Sequence, residues 1–313
     1  MKRLLMLGMA LCLMHNMWGQ SDLEQIMKSA VEKTKVQDYT GAIKDYNKAL
    51  RMSPGLGAAF CGRAEAKLNI SQYDEALRDI NKAIEIKKDD AQPYLIRGQI
   101  YAATKKNDDA LADYSKALEL KDDLYEATVQ KALLIYKLER EKEAFELVNK
   151  AIDKNSNSPE LYYGRGALYN MKQKYEKALN DFNKTIELNE NYNRLNVLLS
   201  RGSVYISLQE FKKADEDFSK VIELSPGSAI GYSSRGRVSY EQGNYPDAIT
   251  DYKKALELNP DNAATLFNLG MAYYKQPDLT NACECFRKSC QLKNSNACKM
   301  VIIGCSDQKK GQD

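Results

Sequence analysis

The sequence predicts an all-α solenoid, a stack of about eight helix pairs closed by one further helix, and three observations predict it. An alanine recurs at Ala42, Ala76, Ala110, Ala144, Ala178, Ala214, Ala248 and Ala282, with gaps of 34 residues except one of 36. A fixed period of this length marks units that bury their apolar faces against their neighbours. Each unit carries two one-sided apolar stripes. In the second unit Tyr73, Ala76, Leu77, Ile80, Ala83 and Ile84 share one face of a 3.6-residue helix, and in the third Tyr94, Leu95, Gly98 and Tyr101 do the same. Stop signals fall at the period as well. Pro54, Pro226 and Pro260 end second helices, because proline lacks the N–H and fixes φ.

The chain opens on a different kind of sequence. Lys2 and Arg3 precede an apolar run from Leu4 to Met14, followed by His15, Asn16 and the small Gly19. A basic start, a short apolar centre and a small residue before polar chain have the form of a secretory signal peptide over 1–19. The run is short for a membrane-spanning helix, so no transmembrane segment is expected in the mature chain. Met17 fits poorly two places before the cleavage point, and Leu11 is too large to make Cys12 a lipid-attachment site. The expectation is export to a periplasmic, outer-membrane-associated or secreted location. Cleavage there removes the only His, His15, and the only Trp, Trp18.

The repeating units then run 23–56, 57–90, 91–124, 125–158, 159–194, 195–228, 229–262 and 263–296, within a solenoid of 20–296, and 297–313 supply a capping helix and polar tail. Inter-helix turns are short, which makes neighbouring helices antiparallel. In the seventh unit Gly243 suits a left-handed helix end, Asn244 a cap and Pro246 the first turn of the next helix. Pro277-Asp278 marks the corresponding turn of the eighth. The two extra residues of the fifth unit, around Asn191-Tyr192-Asn193-Arg194, belong in the loop between units, where length costs little.

Small residues recur in the first helices as Ala30, Ala64, Gly98, Ala132, Gly166, Gly202, Gly236 and Gly270. An aromatic follows at Tyr101, Tyr169, Tyr205 and Tyr273, and another stands in the second helix at Tyr46, Tyr114, Phe182, Phe218, Tyr252 and Phe286. Over 23–296 the chain therefore resembles the tetratricopeptide repeat family. The resemblance implies a right-handed superhelix whose first helices line a concave groove that accepts peptides or partner segments. Close helix crossing explains the small residues, and Gly166 is expected to face Ala178.

Five units carry Arg before the small residue and Asp after the second-helix alanine: Arg63/Asp79, Arg97/Asp113, Arg165/Asp181, Arg201/Asp217 and Arg235/Asp251. The fourth has Lys131 with Leu147, the eighth Leu269 with Cys285, and the first Ser29 with Asp45. Because the two residue types tend to appear and vanish together, the first unit's Asp45 excepted, an ion pair between the helices of one repeat is expected. Independently solvated charges are the alternative.

Five cysteines crowd the end of the chain: Cys283, Cys285, Cys290, Cys298 and Cys305. In an exported chain this reads as a disulfide framework rather than a metal site. Cys283 and Cys290 share one helix face, as do Cys298 and Cys305, so antiparallel helices pair Cys290 with Cys298 and Cys283 with Cys305. Cys285 competes with Cys283 for Cys305. The 290/298 joint is similar to that of cysteine-rich solenoid repeats of the same helix-pair type. The bridges would fasten a cap over the last repeat, which has no further neighbour.

The charge balance of 46 basic and 43 acidic residues, with no basic block, argues against nucleic acid. Without a phosphate loop, nucleophile motif or mature-chain histidine, the reading is non-enzymatic, with no metal or cofactor. The expected function is a protein-interaction scaffold binding a peptide or protein segment. By helical phase the groove residues are Gln99, Leu133, Tyr136, Tyr163, Asn170, Leu199, Ser203, Ile206, Ser233, Arg237, Tyr240, Phe267, Met271 and Tyr274. Arg237 alone is basic, which disfavours the carboxylate-clamp version of the family. Assembly through the convex face and thiol-redox chemistry at the terminal cysteines are the alternatives.

Overall fold

The computed structural model describes residues 21–305, so the expected signal peptide and the polar tail lie outside the described residues. A first helix, α1, covers 21–35. It is followed by α2 (Tyr39–Met52), α3 (Gly57–Asn69), α4 (Tyr73–Ile86), α5 (Ala91–Ala103), α6 (Asn107–Leu120), α7 (Tyr125–Lys137) and α8 (Glu141–Lys154). Next come α9 (Pro159–Met171), α10 (Tyr175–Leu188), α11 (Arg194–Ser207), α12 (Phe211–Leu224), α13 (Ala229–Glu241), α14 (Tyr245–Leu258), α15 (Ala263–Lys275), α16 (Leu279–Gln291) and α17 (Ser295–Gly304). The described residues contain no strand. The chain divides between Asn155 and Ser156 into two compact units, the first holding α1–α8 and the second α9–α17. Within each, the second helix of a pair packs on the first helix of the next, so each is an all-α solenoid.

Local chemistry sets the helix ends. The side chains of Asp90, Ser158, Asn262 and Asn294 accept from backbone N–H groups at the starts of α5, α9, α15 and α17. Asn244 occupies the same kind of position before α14 but turns its amide to Asp247 instead. The fifth unit's two extra residues are shared. The loop 189–193 takes one, and α11 takes the other, with 14 residues against 13 in α13.

The turn inside each pair needs one left-handed residue. Gly243 supplies it at φ 79°, but Ser71, Lys105, Glu139, Gln173 and Gln209 fill the same place at 58–64°. The backbone explains why these are tolerated: Lys174 N–H, for example, bonds back to Tyr169 C=O at 2.8 Å and closes the helix end. Gly243→Ala is expected to cost about 1 kcal/mol, the left-handed penalty of a side chain, read as a lowered midpoint in a thermal melt.

The core repeats one contact. A Cβ at Gly166 would lie 2.8 Å from the Phe182 ring, so the ring is what a methyl there would meet first. The same holds for Gly98 with Tyr114, Gly202 with Phe218, Gly236 with Tyr252 and Gly270 with Phe286, at 2.6–3.0 Å. One side of the ring, its Cδ1 and Cε1, lies so close to the facing helix that no room is left for a methyl. Where the second helix carries aliphatic Ile80 or Val148 instead, the facing residue is Ala64 or Ala132. The first repeat has Ala30 with Tyr46, whose ring lies against Gly62 of the next repeat.

All five Arg/Asp pairs form. Nε and Nη2 of each arginine grip both oxygens of the aspartate at 2.5–2.9 Å. The aspartate side chains are only 6–10% exposed and the arginines 17–31%, so these pairs are shielded. The Asp hydrogen bond raises the guanidinium pKa of Arg97, Arg165, Arg201 and Arg235, against burial that opposes it. At Asp217 burial wins and pushes the carboxyl up in spite of Arg201.

Within the two units, a third bond of the arginine reaches the preceding repeat at four of the pairs. Nη1 of Arg63, Arg97 and Arg201 donates to Asn47, Asn81 and Asn183 at 2.6–2.9 Å, and that of Arg235 to Ser219 at 3.4 Å. Lys131, lacking an Asp partner, keeps only this backward link, to Ser115 at 2.9 Å. The sequence shows the acceptor as a small polar residue directly after the second-helix core position. Rings bracket the guanidinium: Tyr94 and Tyr101 lie 5.5 and 5.9 Å from Arg97, and Tyr162 and Tyr169 lie 5.4 and 5.9 Å from Arg165. In the first repeat Asp45 is held by Ser29 and also by Lys33, a partner the sequence reading did not assign.

In the eighth repeat the polar pair becomes an apolar one. Leu269 and Cys285 pack in one cluster with Ala248, Ile249, Tyr252 and Ala272. Beyond it α17 lies on α16, tied by Cys283–Cys305 and Cys290–Cys298, whose Cα atoms are 5.6 and 4.7 Å apart. Cys285 does not share the helix face of Cys283. Its place against Leu269 takes it out of competition for Cys305, and it is a free buried thiol.

Candidate functional site

Helix phase decides which side chains the first helices leave uncovered. The fourteen groove residues separate into three groups. Ile206 is 7% exposed and packs with Tyr205, Ala214, Phe218 and Val238, which corrects its assignment: it is a core residue with nothing to offer a partner. Tyr163 leans on Phe182 at 5.9 Å and Tyr192 at 6.3 Å, so it also serves packing. Leu199 packs at the edge of the Ile206 cluster.

The second group is half-buried and engaged locally. Gln99 donates to Glu126 at 3.0 Å, Tyr136 meets Phe145 edge-on at 6.3 Å, and the Ser233 hydroxyl bonds Ile230 C=O at 3.1 Å. Asn170 and Ser203 are half-buried as well. Leu133 lines a cavity of about 360 Å³ with Lys105, Asn107, Gln130 and Lys137 in the first unit.

The third group converges. Arg237 and Tyr240 of α13 and Phe267 and Met271 of α15 line one cavity of about 360 Å³ in the second unit. Its size suits one or two side chains of a bound segment. Glu241, Tyr252 and Asn268 complete the walls, and none of these three came from the sequence reading. Asn268 stands beside the anticipated Phe267. Tyr252 was read as core only, yet its ring, 1% exposed, forms the floor. Tyr274, 43% exposed, sits three residues beyond Met271 on α15.

The walls are fixed from behind. Phe267 meets Phe286 in a tilted contact at 5.8 Å, and Tyr240 meets Tyr245 at 5.5 Å. Burial raises the phenol pKa of Tyr240 and Tyr252, at Tyr252 against the opposing charge of Arg237, so both stay neutral. Arg237 is exposed and enters no ion pair or hydrogen bond among the described residues. It is unlike the five ladder arginines, whose charge is spent inside the fold. The site thus offers an apolar wall, neutral donors and one available cation. No group of three His, Cys, Asp or Glu placed to hold a metal occurs among the described residues, and no helix there is long and apolar enough to cross a membrane.

Comparison with known proteins agrees with this architecture. Family models described as tetratricopeptide repeat match residues 61–125, 159–192, 195–228 and 263–296, and one described as TPR repeat matches 236–277. Together they span more than half of the chain. A tetratricopeptide repeat protein from Parabacteroides merdae has a similar structure, with 21% identity and a TM-score of 0.55 over 80% of this chain and 99% of that one. The APC/C hetero-tetramer Cut9–Hcn1 contains another, with 15% identity and a TM-score of 0.58 over 80% of this chain and 52% of that one. At these identities the likeness is one of fold. No curated protein matches the sequence.

Proposed function

The chain belongs to the tetratricopeptide repeat family, and from that premise we propose that it is a non-enzymatic scaffold holding a segment of a partner protein in the groove of its seventh and eighth repeats. The observation that carries this is the convergence of Arg237, Tyr240, Phe267 and Met271 on one cavity. An aromatic or aliphatic side chain fits against Phe267 and Met271, and an acidic residue beside it answers the available Arg237. Asn268 supplies amide donors and an acceptor for the peptide backbone. A single cation suits an internal acidic residue better than a clamp on a terminal carboxylate.

Fluorescence polarisation with labelled peptides carrying Phe or Leu beside Asp tests the reading. The Asp peptides are expected to bind and their Lys counterparts to bind at least about tenfold more weakly, with Arg237→Glu reversing the order. Equal affinity for both in the native protein, or no effect of Arg237→Glu, would overturn it.

The thiol chemistry favours a scaffold over a redox centre. Burial pushes the Cys61 thiol up to about 12 and Cys285 up to about 11, so neither is a ready nucleophile at neutral pH. Native protein is expected to resist iodoacetamide at pH 8 at both positions, with alkylation appearing on unfolding. The same shifts have a stability consequence. Folded-state values above the usual 9.0 favour the fold below pH 9, and that contribution is lost as pH rises towards 11 and 12. Export is part of the proposal too, supported by the terminal disulfide framework, which suits an oxidising compartment. N-terminal sequencing of protein recovered from cells tests cleavage after Gly19.

A further inference from the structure

The cap and the groove share a wall. Ala282, Cys283, Phe286 and Cys305 form one buried cluster; Met300 and Val301 of α17 pack on it from the cap, and Phe267 and Met271 pack on it from the groove. The two bridges that hold the cap differ in access. Cys283 and Cys305 are 1% and 5% exposed, whereas Cys290 and Cys298 are half-buried at the joint between α16 and α17. At the far end of α17, Ile302 and Ile303 are 73% and 78% exposed, so little apolar contact holds that end beyond the inner bridge.

We propose that the two disulfides form an ordered, redox-sensitive latch on the groove, in which reduction of Cys290–Cys298 admits reductant to Cys283–Cys305, and loss of the inner bridge loosens Phe267 and Met271. The consequence for partner binding rests on the groove reading given above. The reductant is a small or protein dithiol. At each bridge its thiolate attacks one cysteine sulfur to give a mixed disulfide and a cysteine thiolate. Its second thiolate then releases the other cysteine and closes the reductant's own disulfide. Two electrons and two protons pass to each cysteine pair. The inner sulfurs are shielded from that attack while the α16–α17 joint is closed. Cys285 takes no part, since it faces Leu269.

Graded dithiothreitol followed by iodoacetamide and mass spectrometry on the full chain gives the order of opening. Cys290 and Cys298 are expected to label first, and Cys283 and Cys305 only afterwards. In the Cys290→Ser/Cys298→Ser variant the inner bridge is expected to open at least about tenfold faster than in the native chain, as the joint opens locally. Hydrogen exchange, which needs no ligand, reads the wall: amides of Leu269–Lys275 lose protection when the inner bridge opens, while those of α13 keep theirs. Simultaneous opening of both bridges, or unchanged exchange of Leu269–Lys275 after full reduction, would sink the proposal. Peptide binding that fails in the oxidised protein while exchange behaves as expected removes the groove reading and leaves the latch intact.

Discussion

Phe182→Ala is expected to destabilise the second unit by about 3–5 kcal/mol, the cost of emptying a fully buried aromatic position. The ring is 0% exposed and packs closely on Gly166, so no neighbour can fill the space without moving the α9–α10 crossing. The opposite error is smaller. Gly166→Ala places a methyl 2.8 Å from that ring and is expected to cost about 1–3 kcal/mol through overpacking, offset in part by better helix propensity. The chain itself suggests the remedy. Its second and fourth repeats combine Ala64 with Ile80 and Ala132 with Val148. Adding Phe182→Ile to Gly166→Ala should therefore cost less than the sum of the two single changes. Denaturant titrations of the four proteins, followed by helical circular dichroism, provide the comparison. Strict additivity would mean that the ring and the glycine are not paired.

Arg201→Leu is expected to cost about 3 kcal/mol, because it strands Asp217, whose side chain is 6% exposed, without its two charged donors. The double variant Arg201→Leu/Asp217→Cys copies the Leu269/Cys285 pair of the eighth repeat and should recover most of that loss. Replacing a shielded ion pair by apolar neighbours is far cheaper than breaking it. pH adds a second check. Burial already raises the Asp217 carboxyl, and removing Arg201 takes away its largest opposing partner. A raised folded-state value means that stability is fully present below the unfolded value and is lost as pH rises through the folded one. The deficit of Arg201→Leu relative to the native chain should thus shrink on going from pH 7 to pH 4. A deficit that is the same at both values would show Asp217 to be solvated once the arginine is gone.

The helix pairs were legible in sequence because the solenoid is local: period, stripe and stop signal all lie within one 34-residue unit. The ion pairs were legible for a related reason, as Arg63 and Asp79 or Arg201 and Asp217 vanish together elsewhere in the same chain. Contacts between units were harder. The Nη1 bonds to Asn47, Asn81 and Asn183 join residues of different repeats, and only a column of small polar residues hints at them. Phase placed Arg237, Tyr240, Phe267 and Met271 on one face, and the structure gives them one cavity. It could not separate them from Ile206, which shares the face but is covered by Val238 and Phe218. The left-handed turns were readable only at Gly243, since a polar side chain such as Gln173 carries no comparable mark of its backbone angle.

The third bond of the arginine ladder has a direction. Each donor stands on the first helix of a repeat, and its acceptor stands on the second helix of the repeat before, as Arg63 reaches Asn47 and Arg97 reaches Asn81. A chain made from its N-terminus displays Asn47 before Arg63 has been added. Each repeat that carries such a donor therefore emerges with the hook for an eye already in place, and for this bond does not wait for a partner still to be synthesised. Domains tend to fold in that order during synthesis. Cys305 follows every ladder arginine in the chain, so the inner bridge of the cap can close only after the ladder has been made.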